Sequence, residues 1–285
     1  MKTPKRIQPL IDDGIVDEVL RPLMSGKEAS VYVVRCGEEI RCAKVYKEAA
    51  QRSFKQAVLY QEGRKVRNSR RARAMEKGSK FGRKQQEDAW HNAEVDALYR
   101  LARAGVRVPK PYGCFDGVLL MELVTDEEGS VAPRLNDVSM SAEQACEDHA
   151  VVMHYVKLML VAGLVHGDLS EFNVLVDDYG PVIIDLPQAV DAAGNNNAQS
   201  MLRRDINNMT EYYGQFAPEL LKTRYADEMW ALYEDGELDE DTELSGEFED
   251  SGEAADVDSV LLEIKAVMEE EAARRERIRE ANEDD

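Results

Sequence analysis

The chain has 285 residues, 44% of them hydrophobic, with 56 acidic against 36 basic side chains and a net charge of −20. That apolar fraction can build a real core, which excludes a wholly disordered chain, and the length suits one large or two modest domains. The acidic balance argues against a protein that simply coats DNA, because phosphate attracts net positive surface.

The charge is unevenly spread. Residues 1–115 hold 25 basic and 14 acidic side chains, whereas residues 231–285 hold 5 and 22. The start, Met1 to Gly14, is basic and has no apolar segment, so no signal peptide is expected. Cys36, Cys42, Cys114 and Cys146 show no paired C-x-x-C spacing. Reduced thiols in a cytoplasmic protein are expected rather than a zinc site or a disulfide framework.

Ser25-Gly26-Lys27-Glu28-Ala29-Ser30 is a short stretch of small residues before the first strand. Its backbone N–H groups could approach phosphate oxygens, although such stretches are commonly plain turns. Val31–Val34 and Ile40–Tyr46 are β-rich runs around Arg35-Cys36-Gly37-Glu38-Glu39, a hairpin pattern. Alternation along the second strand puts Cys42, Lys44 and Tyr46 on one face and Ala43 and Val45 on the other.

Residues 52–84 hold 12 basic and 2 acidic side chains, densest from Arg64 to Arg73. They read as a mobile basic insert that either contacts phosphate or stays a solvated loop near the acidic remainder of the chain. A helix is expected from about Glu87 to Ala104, with Trp90, Leu98 and Leu101 on its buried face. Glu94 falls on that same face, and a buried carboxylate needs a partner. Lys44 is the available cation, and a strand lysine paired with a helix glutamate can orient a lysine toward nucleotide phosphates.

Val118–Val124 is an apolar strand running into a polar stretch. It reads either as a hinge holding adenine, with Met121, Glu122 and Val124 beside the base, or as a core strand. Val151–Val165 is too short and too polar to span a bilayer and reads as a buried helix. The segment from Leu164 to Val176 then joins that helix to an apolar strand and carries Asp168 and Asn173 in D-x-x-x-x-N spacing. A carboxylate at Asp168 can take the proton of an attacking hydroxyl, and the neutral amide of Asn173 can bind a cation without adding charge. The strand Val182-Ile183-Ile184 delivers Asp185 after the turn Asp177-Asp178-Tyr179-Gly180. Asp185 should return beside Asn173, giving two oxygen ligands for a phosphate-bridging metal.

From Glu234 to Asp258 the chain is acidic and poor in apolar residues, so a disordered linker is expected. Beyond it, Leu261, Ile264 and Met268 follow helical spacing, with Glu270–Arg274 and Glu271–Arg275 pairs in favourable order.

These motifs, in this order, resemble the RIO family of atypical serine/threonine kinases over about residues 15–216. Ser25–Tyr32 looks like its short phosphate-binding loop. His166–Asn173 is similar to its catalytic loop, and Ile184–Ala189 to its metal loop. Arg203-Arg204-Asp205-Ile206 resembles the start of its last lobe helix, and Gly105–Pro111 also fits. The resemblance implies an α+β, compact two-lobed protein-kinase-like fold, with a β-rich N-lobe and a mostly helical C-lobe lacking the usual activation segment. The expected divisions are a lead-in at 1–24, an N-lobe at 25–120, a C-lobe at 121–233, an acidic linker at 234–257 and an amphipathic helix at 258–285. With few residues before Ser25, the resemblance is expected to be to a family branch without the N-terminal winged helix.

The resemblance also implies ATP with Mg²⁺ or Mn²⁺, Asp168 as catalytic base, and Asn173 and Asp185 as metal ligands. Lys44, paired with Glu94, would hold phosphate together with Ser25, Gly26, Lys27, Glu28 and Ser30. Met24-Ser25 departs from the family's Ser-Thr, and Gly167 stands where ordinary kinases carry arginine, so control by activation-loop phosphate should be absent. Ala217-Pro218-Glu219 is taken as a chance tripeptide.

Three functions compete. One is a protein kinase, with Ser53, Ser69 and Ser79 as candidate autophosphorylation sites. Another is a nucleotide-switched factor that contacts RNA or a ribosomal subunit through 63–84 and hydrolyses ATP through an aspartyl-phosphate on Asp185. The last is a small-molecule phosphotransferase of the aminoglycoside or choline kinase type.

Overall fold

The computed structural model describes residues 3–26, 29–47 and 94–249. The basic insert, Lys27, Glu28, Trp90 and the terminal helix expected at 258–285 lie outside the described residues. The chain divides into a unit from Met1 to Glu247 and a second from Phe248 to Asp285. The described strands and helices all belong to the first.

Five antiparallel strands open the fold: β1 (Glu18–Ser25), β2 (Ala29–Cys36), β3 (Glu39–Tyr46), β4 (Pro111–Phe115) and β5 (Val118–Glu122), in the order β1-β2-β3-β5-β4. The sheet begins with β1, inside the stretch expected to be only a lead-in. The β2–β3 hairpin forms as the alternation predicted, with Gly37 at φ +63° in its turn. That left-handed conformation suits glycine because it carries no Cβ.

Both faces of β3 are buried. Ala43 and Val45 pack with Ile7, Leu10, Val16, Val34, Val118 and Leu120 beneath the short helix α1 (Gln8–Asp12). Tyr46 belongs instead to the large core on the other face, with Leu98, Leu101 and Leu119. Leu98 and Leu101 come from a helix described over residues 94–103, here α2. Its four-residue spacing from Glu94 to Leu98 puts the carboxylate on the packed face, as expected.

After β5, which ends at Glu122, a 3-10 turn (Leu135–Asp137) leads to α3 (Ala142–Val161). Ser141 caps α3 by accepting a hydrogen bond from Gln144 N–H at 3.1 Å, satisfying one of the free donors of the first turn. The helix expected over Val151–Val165 stops at Val161, because Gly163 turns at φ +73°. Leu164–Val165 is a strand instead, β6, paired with β9 (Val190–Asp191). The hairpin of β7 (Val174–Asp177) and β8 (Gly180–Ile183) lies between them. Arg107 closes onto Asp177 in a partly buried ion pair beneath this hairpin.

Helix α4 spans Ala198–Tyr213, so Arg203-Arg204-Asp205-Ile206 lies inside the helix rather than at its start. A 3-10 turn (Pro218–Lys222), headed by the Ala-Pro-Glu tripeptide, and α5 (Tyr225–Asp235) follow.

The acidic stretch departs from expectation over its described part. Residues 237–247 pack back on the lobe. Leu238 and Leu244 touch the core, and Glu228 accepts the N–H groups of Ser245 and Gly246 at 2.7 and 2.8 Å. The buried ammonium of Lys157 on α3 donates to the carbonyls of Glu240 and Thr242 at 2.7 and 2.8 Å. A cation inside a helical lobe thus finds acceptors in the strap. Composition hid this, because backbone carbonyls and two leucines hold the segment. Lys157→Met is expected to cost about 2 kcal/mol, the loss of a charged donor offset by easier burial. Equilibrium denaturation would read it, and limited proteolysis should begin within 237–247.

Candidate active site

Strand β3 carries Lys44 between two apolar neighbours in register, Val31 and Leu119. A lysine there cannot snorkel to water, and only 10% of its side chain is exposed. Its ammonium lies 2.7 Å from Glu94 Oε1 and 2.7 Å from Asp185 Oδ1. Burial alone would push the lysine pKa down, but the two carboxylates more than reverse that and hold the ammonium charged. Glu94 is 2% exposed, and its second oxygen accepts the hydroxyl of Tyr46, two residues along β3 from Lys44.

Asp185 is half-exposed, with 46% of its side chain accessible. Its backbone adopts φ +66°, an unusual conformation for a residue with a Cβ, found where the chain turns off β8. Desolvation would raise its pKa, but Lys44 wins and holds the carboxyl below its ordinary value. The N–H of Ile184 donates to Asn173 O at 3.0 Å, which ties the two loops together as the hairpin reading expected.

The loop after β6 is held by backbone contacts from several directions. His166 bridges it: Nε2 lies 3.0 Å from the carbonyl of Ile184, and Nδ1 accepts from Asp168 N–H at 3.3 Å. Asn173 Nδ2 donates to Asp168 O at 2.8 Å. That leaves the Asn173 amide oxygen as its acceptor. An amide oxygen and a carboxylate held ionised make a donor pair that fits a small hard cation, with phosphate oxygens completing the shell.

The strongest clamp on the loop comes from α4, where local sequence signals assign no role. Asp205, 1% exposed, accepts Gly167 N–H at 2.7 Å and Leu169 N–H at 3.0 Å. Arg204 donates to Gly167 O, and Asn208 to Leu169 O at 2.9 Å. Asp168 is bracketed on both sides, with its own side chain left exposed. Partial desolvation raises the Asp168 pKa, while His166 and Arg204 pull it down. Burial pushes Asp205 up to about 6, against its hydrogen bonds. One signal could have found Asp205: it interrupts the apolar stripe Met201, Leu202, Ile206 and Met209. A carboxylate in such a stripe needs donors, and loop N–H groups supply them.

These groups open on a cleft of about 630 Å³ between sheet and helical lobe. Lys44, Glu94, Asp168, Asn173 and Asp185 all line it, as do Gly26, Met121, Glu122 and Val124. Over Val118–Glu122 the segment is the core strand β5, with Val118, Leu119 and Leu120 buried, and its end faces the cleft. The Val124 carbonyl already accepts Ala132 N–H at 3.0 Å, and Glu122 N–H donates to Lys110 O at 2.8 Å. Ser25 and Ser30 hydroxyls pair at 3.1 Å across the base of the loop. Two cations beside the cleft were missed, because neither sits in a motif. Lys47 Nζ reaches Gly26 O at 2.5 Å, and Arg134 lies 2.8 Å from Met24 Sδ and helps to hold Asp185 ionised.

The family model of the RIO domain matches residues 30–226. The chain belongs to the RIO family. It is 38% identical over 208 residues to the RIO-type serine/threonine-protein kinase Rio1 of Haloferax volcanii, covering 73% of this chain and 67% of that one. It is 31% identical to the Schizosaccharomyces pombe kinase rio1 over 72% of this chain and 40% of the relative. The human kinase RIO1 is 29% identical over 75% and 36%. The chain therefore spans about two thirds of the archaeal relative and less than half of the other two.

A solved Rio2 kinase from Chaetomium thermophilum, in complex with ADP/Mg²⁺ and phosphoaspartate, superposes with a TM-score of 0.53 at 20% identity, over 83% of this chain and 75% of that one. The fold is accordingly kinase-like, and the class is that of RIO1-type serine/threonine protein kinases. The sheet lobe, the helical lobe and the short path from Asp185 to α4 agree with the expected architecture. No described helix is long and apolar enough to cross a membrane. Cys36, Cys42, Cys114 and Cys146 are free thiols.

Proposed function

We propose that this RIO kinase binds ATP in the cleft and transfers its γ-phosphate to a protein serine or threonine, with Asp168 as base. The observation that carries the reading is the placement of one buried ammonium, Lys44, 2.7 Å from both Glu94 and Asp185. A buried lysine shared between a structural and a half-exposed carboxylate is poised to exchange the latter for phosphate oxygens. Adenine would lie against Met121, Glu122 and Val124. Ser25, Gly26 and Ser30, together with Lys27 and Glu28, would face the phosphates. Asn173 and Asp185 would hold Mg²⁺ or Mn²⁺, which when bound neutralises charge on the phosphate oxygens. The substrate hydroxyl oxygen attacks the γ-phosphorus, its proton passes to the Asp168 carboxylate, and the bridging electron pair leaves with ADP.

One observation favours a second outcome at the same site. Asp185 is ionised, half-exposed and next to Lys44. It could itself take the γ-phosphoryl group as an acyl phosphate, which water then hydrolyses, as phosphoaspartate in the Chaetomium Rio2 complex suggests. A contact with RNA or a ribosomal subunit through residues 63–84, and a cytoplasmic location, belong to this proposal on sequence grounds alone.

The fate of the γ-phosphate separates the two. With γ-labelled ATP and Mg²⁺, acid-stable label on serine or threonine is expected for protein transfer. Hydroxylamine-labile label that vanishes in Asp185→Asn is expected for the acyl phosphate. Absence of both, with no phosphate released, would overturn the site assignment.

A further inference from the structure

We propose that the hydroxyl of Tyr46 is a positioning group for phosphate transfer: it occupies one oxygen of Glu94 so that the other holds Lys44 in line with the nucleotide phosphates. The inference rests on the reading of Lys44 as the phosphate-binding cation.

Lys44 has two anionic neighbours at equal distance, and they pull in different directions. Glu94 anchors it to α2, while Asp185 draws it to the metal loop. If Glu94 could rotate, the ammonium would settle on Asp185 and neutralise the carboxylate that must face a cation. The Tyr46 hydroxyl prevents this rotation by donating to Glu94 Oε2.

The donor is well placed to act as a fixed point. Tyr46 is 2% exposed and sits two residues from Lys44 on the same strand face. The end of β3 is pinned on both sides, by Tyr46 N–H donating to Gly117 O at 3.1 Å and by Arg6 donating to Tyr46 O at 3.0 Å. The Lys44 ammonium lies 5.6 Å from the ring centroid, so ring, ammonium and carboxylate form one closed group. Burial and the Glu94 charge raise the phenol pKa, which keeps the hydroxyl a donor. A phenylalanine would fill the same core volume, so the hydroxyl serves something other than packing.

The test uses the full chain with ATP and Mg²⁺, reading kcat and KM for γ-phosphate turnover, ADP affinity by calorimetry, and Tm. Tyr46→Phe is expected to lower kcat by about tenfold while ADP affinity changes by less than about threefold, the split of a group that matters in the transition state. In a Lys44→Ala background the same change is expected to have no further effect, because the two act as one unit. A folded Tyr46→Phe protein with kcat within about twofold of the parent, or an equal loss with and without Lys44, would overturn the proposal. Should Tyr46→Phe fail to fold, Glu94→Gln decides, because its amide has one oxygen where Glu94 accepts from Lys44 and Tyr46 on two. A kcat lowered about tenfold with ADP affinity within about threefold supports the role, and a kcat within about twofold of the parent refutes it. If Lys44→Ala itself keeps full turnover, the active-site reading fails rather than this one.

Discussion

Asp168→Ala is expected to reduce phosphate transfer by about a thousandfold while leaving the fold and nucleotide binding intact. The Asp168 side chain is exposed. Its carboxylate does not hold the loop together. Its backbone does, with the carbonyl accepting from Asn173 and the N–H donating to His166. The side chain is therefore removable without disturbing its frame. ADP titration should give an affinity within about threefold of the parent, and Tm should move by no more than a few degrees. A variant that transfers phosphate at the parental rate would remove Asp168 from the role of base.

Asp205→Asn is expected to cost about a hundredfold in kcat, although Asp205 touches no reacting group. Both its oxygens accept loop N–H groups, whereas an asparagine offers one acceptor and turns an NH₂ toward the other N–H. Leu169 or Gly167 must then shift, and Asp168 moves with them.

The same residue makes a pH prediction. Its pKa rises from 3.8 to about 6 on folding, so the folded state binds the proton more tightly than the unfolded chain. Its contribution to stability is then fully present below about pH 4 and is lost as pH rises to about 6, a change of about 3 kcal/mol. Urea denaturation at several pH values should show that fall in the parent and not in Asp205→Asn. Activity runs the other way: kcat should drop as pH falls below about 6, where protonation removes one acceptor from the loop. Stability and catalysis thus pull in opposite directions at this carboxyl, as expected where a charge is buried for a loop's geometry.

The parts legible in the sequence were those with short-range signatures. Alternation in Ile40–Tyr46 placed Lys44 and Tyr46 on one face because the strand period is two. Helical spacing put Glu94 with Leu98 and Leu101. The turn at Asp177–Gly180 returned Asp185 to Asn173 because a hairpin leaves little choice of register. The misplaced boundaries have local causes too. Gly163 ends α3 earlier than hydropathy suggests, and β1 was missed because Pro22 and exposed residues break its alternation.

The features that stayed hidden depended on contacts distant in sequence. Asp205 meets Gly167 and Leu169 from 38 and 36 residues away. Lys157 finds its carbonyls 83 and 85 residues on. A buried polar group announces that it needs a partner, but not which one.

The sequence by itself determined the chemistry available to this protein: a strand lysine, a helix glutamate, and an aspartate and asparagine at fixed spacing on one loop. These follow from local periodicity and from the few side chains able to perform phosphate transfer. Tertiary structure alone decided how that chemistry is held. Within a chain of net charge −20 it built a cleft where one ammonium balances Glu94 and Asp185, tied the loop to α4 through Asp205, and folded acidic residues 237–247 onto Lys157. The reason is physical: desolvated charges and backbone donors must be satisfied somewhere, and only the packed chain brings the satisfying groups within about 3 Å.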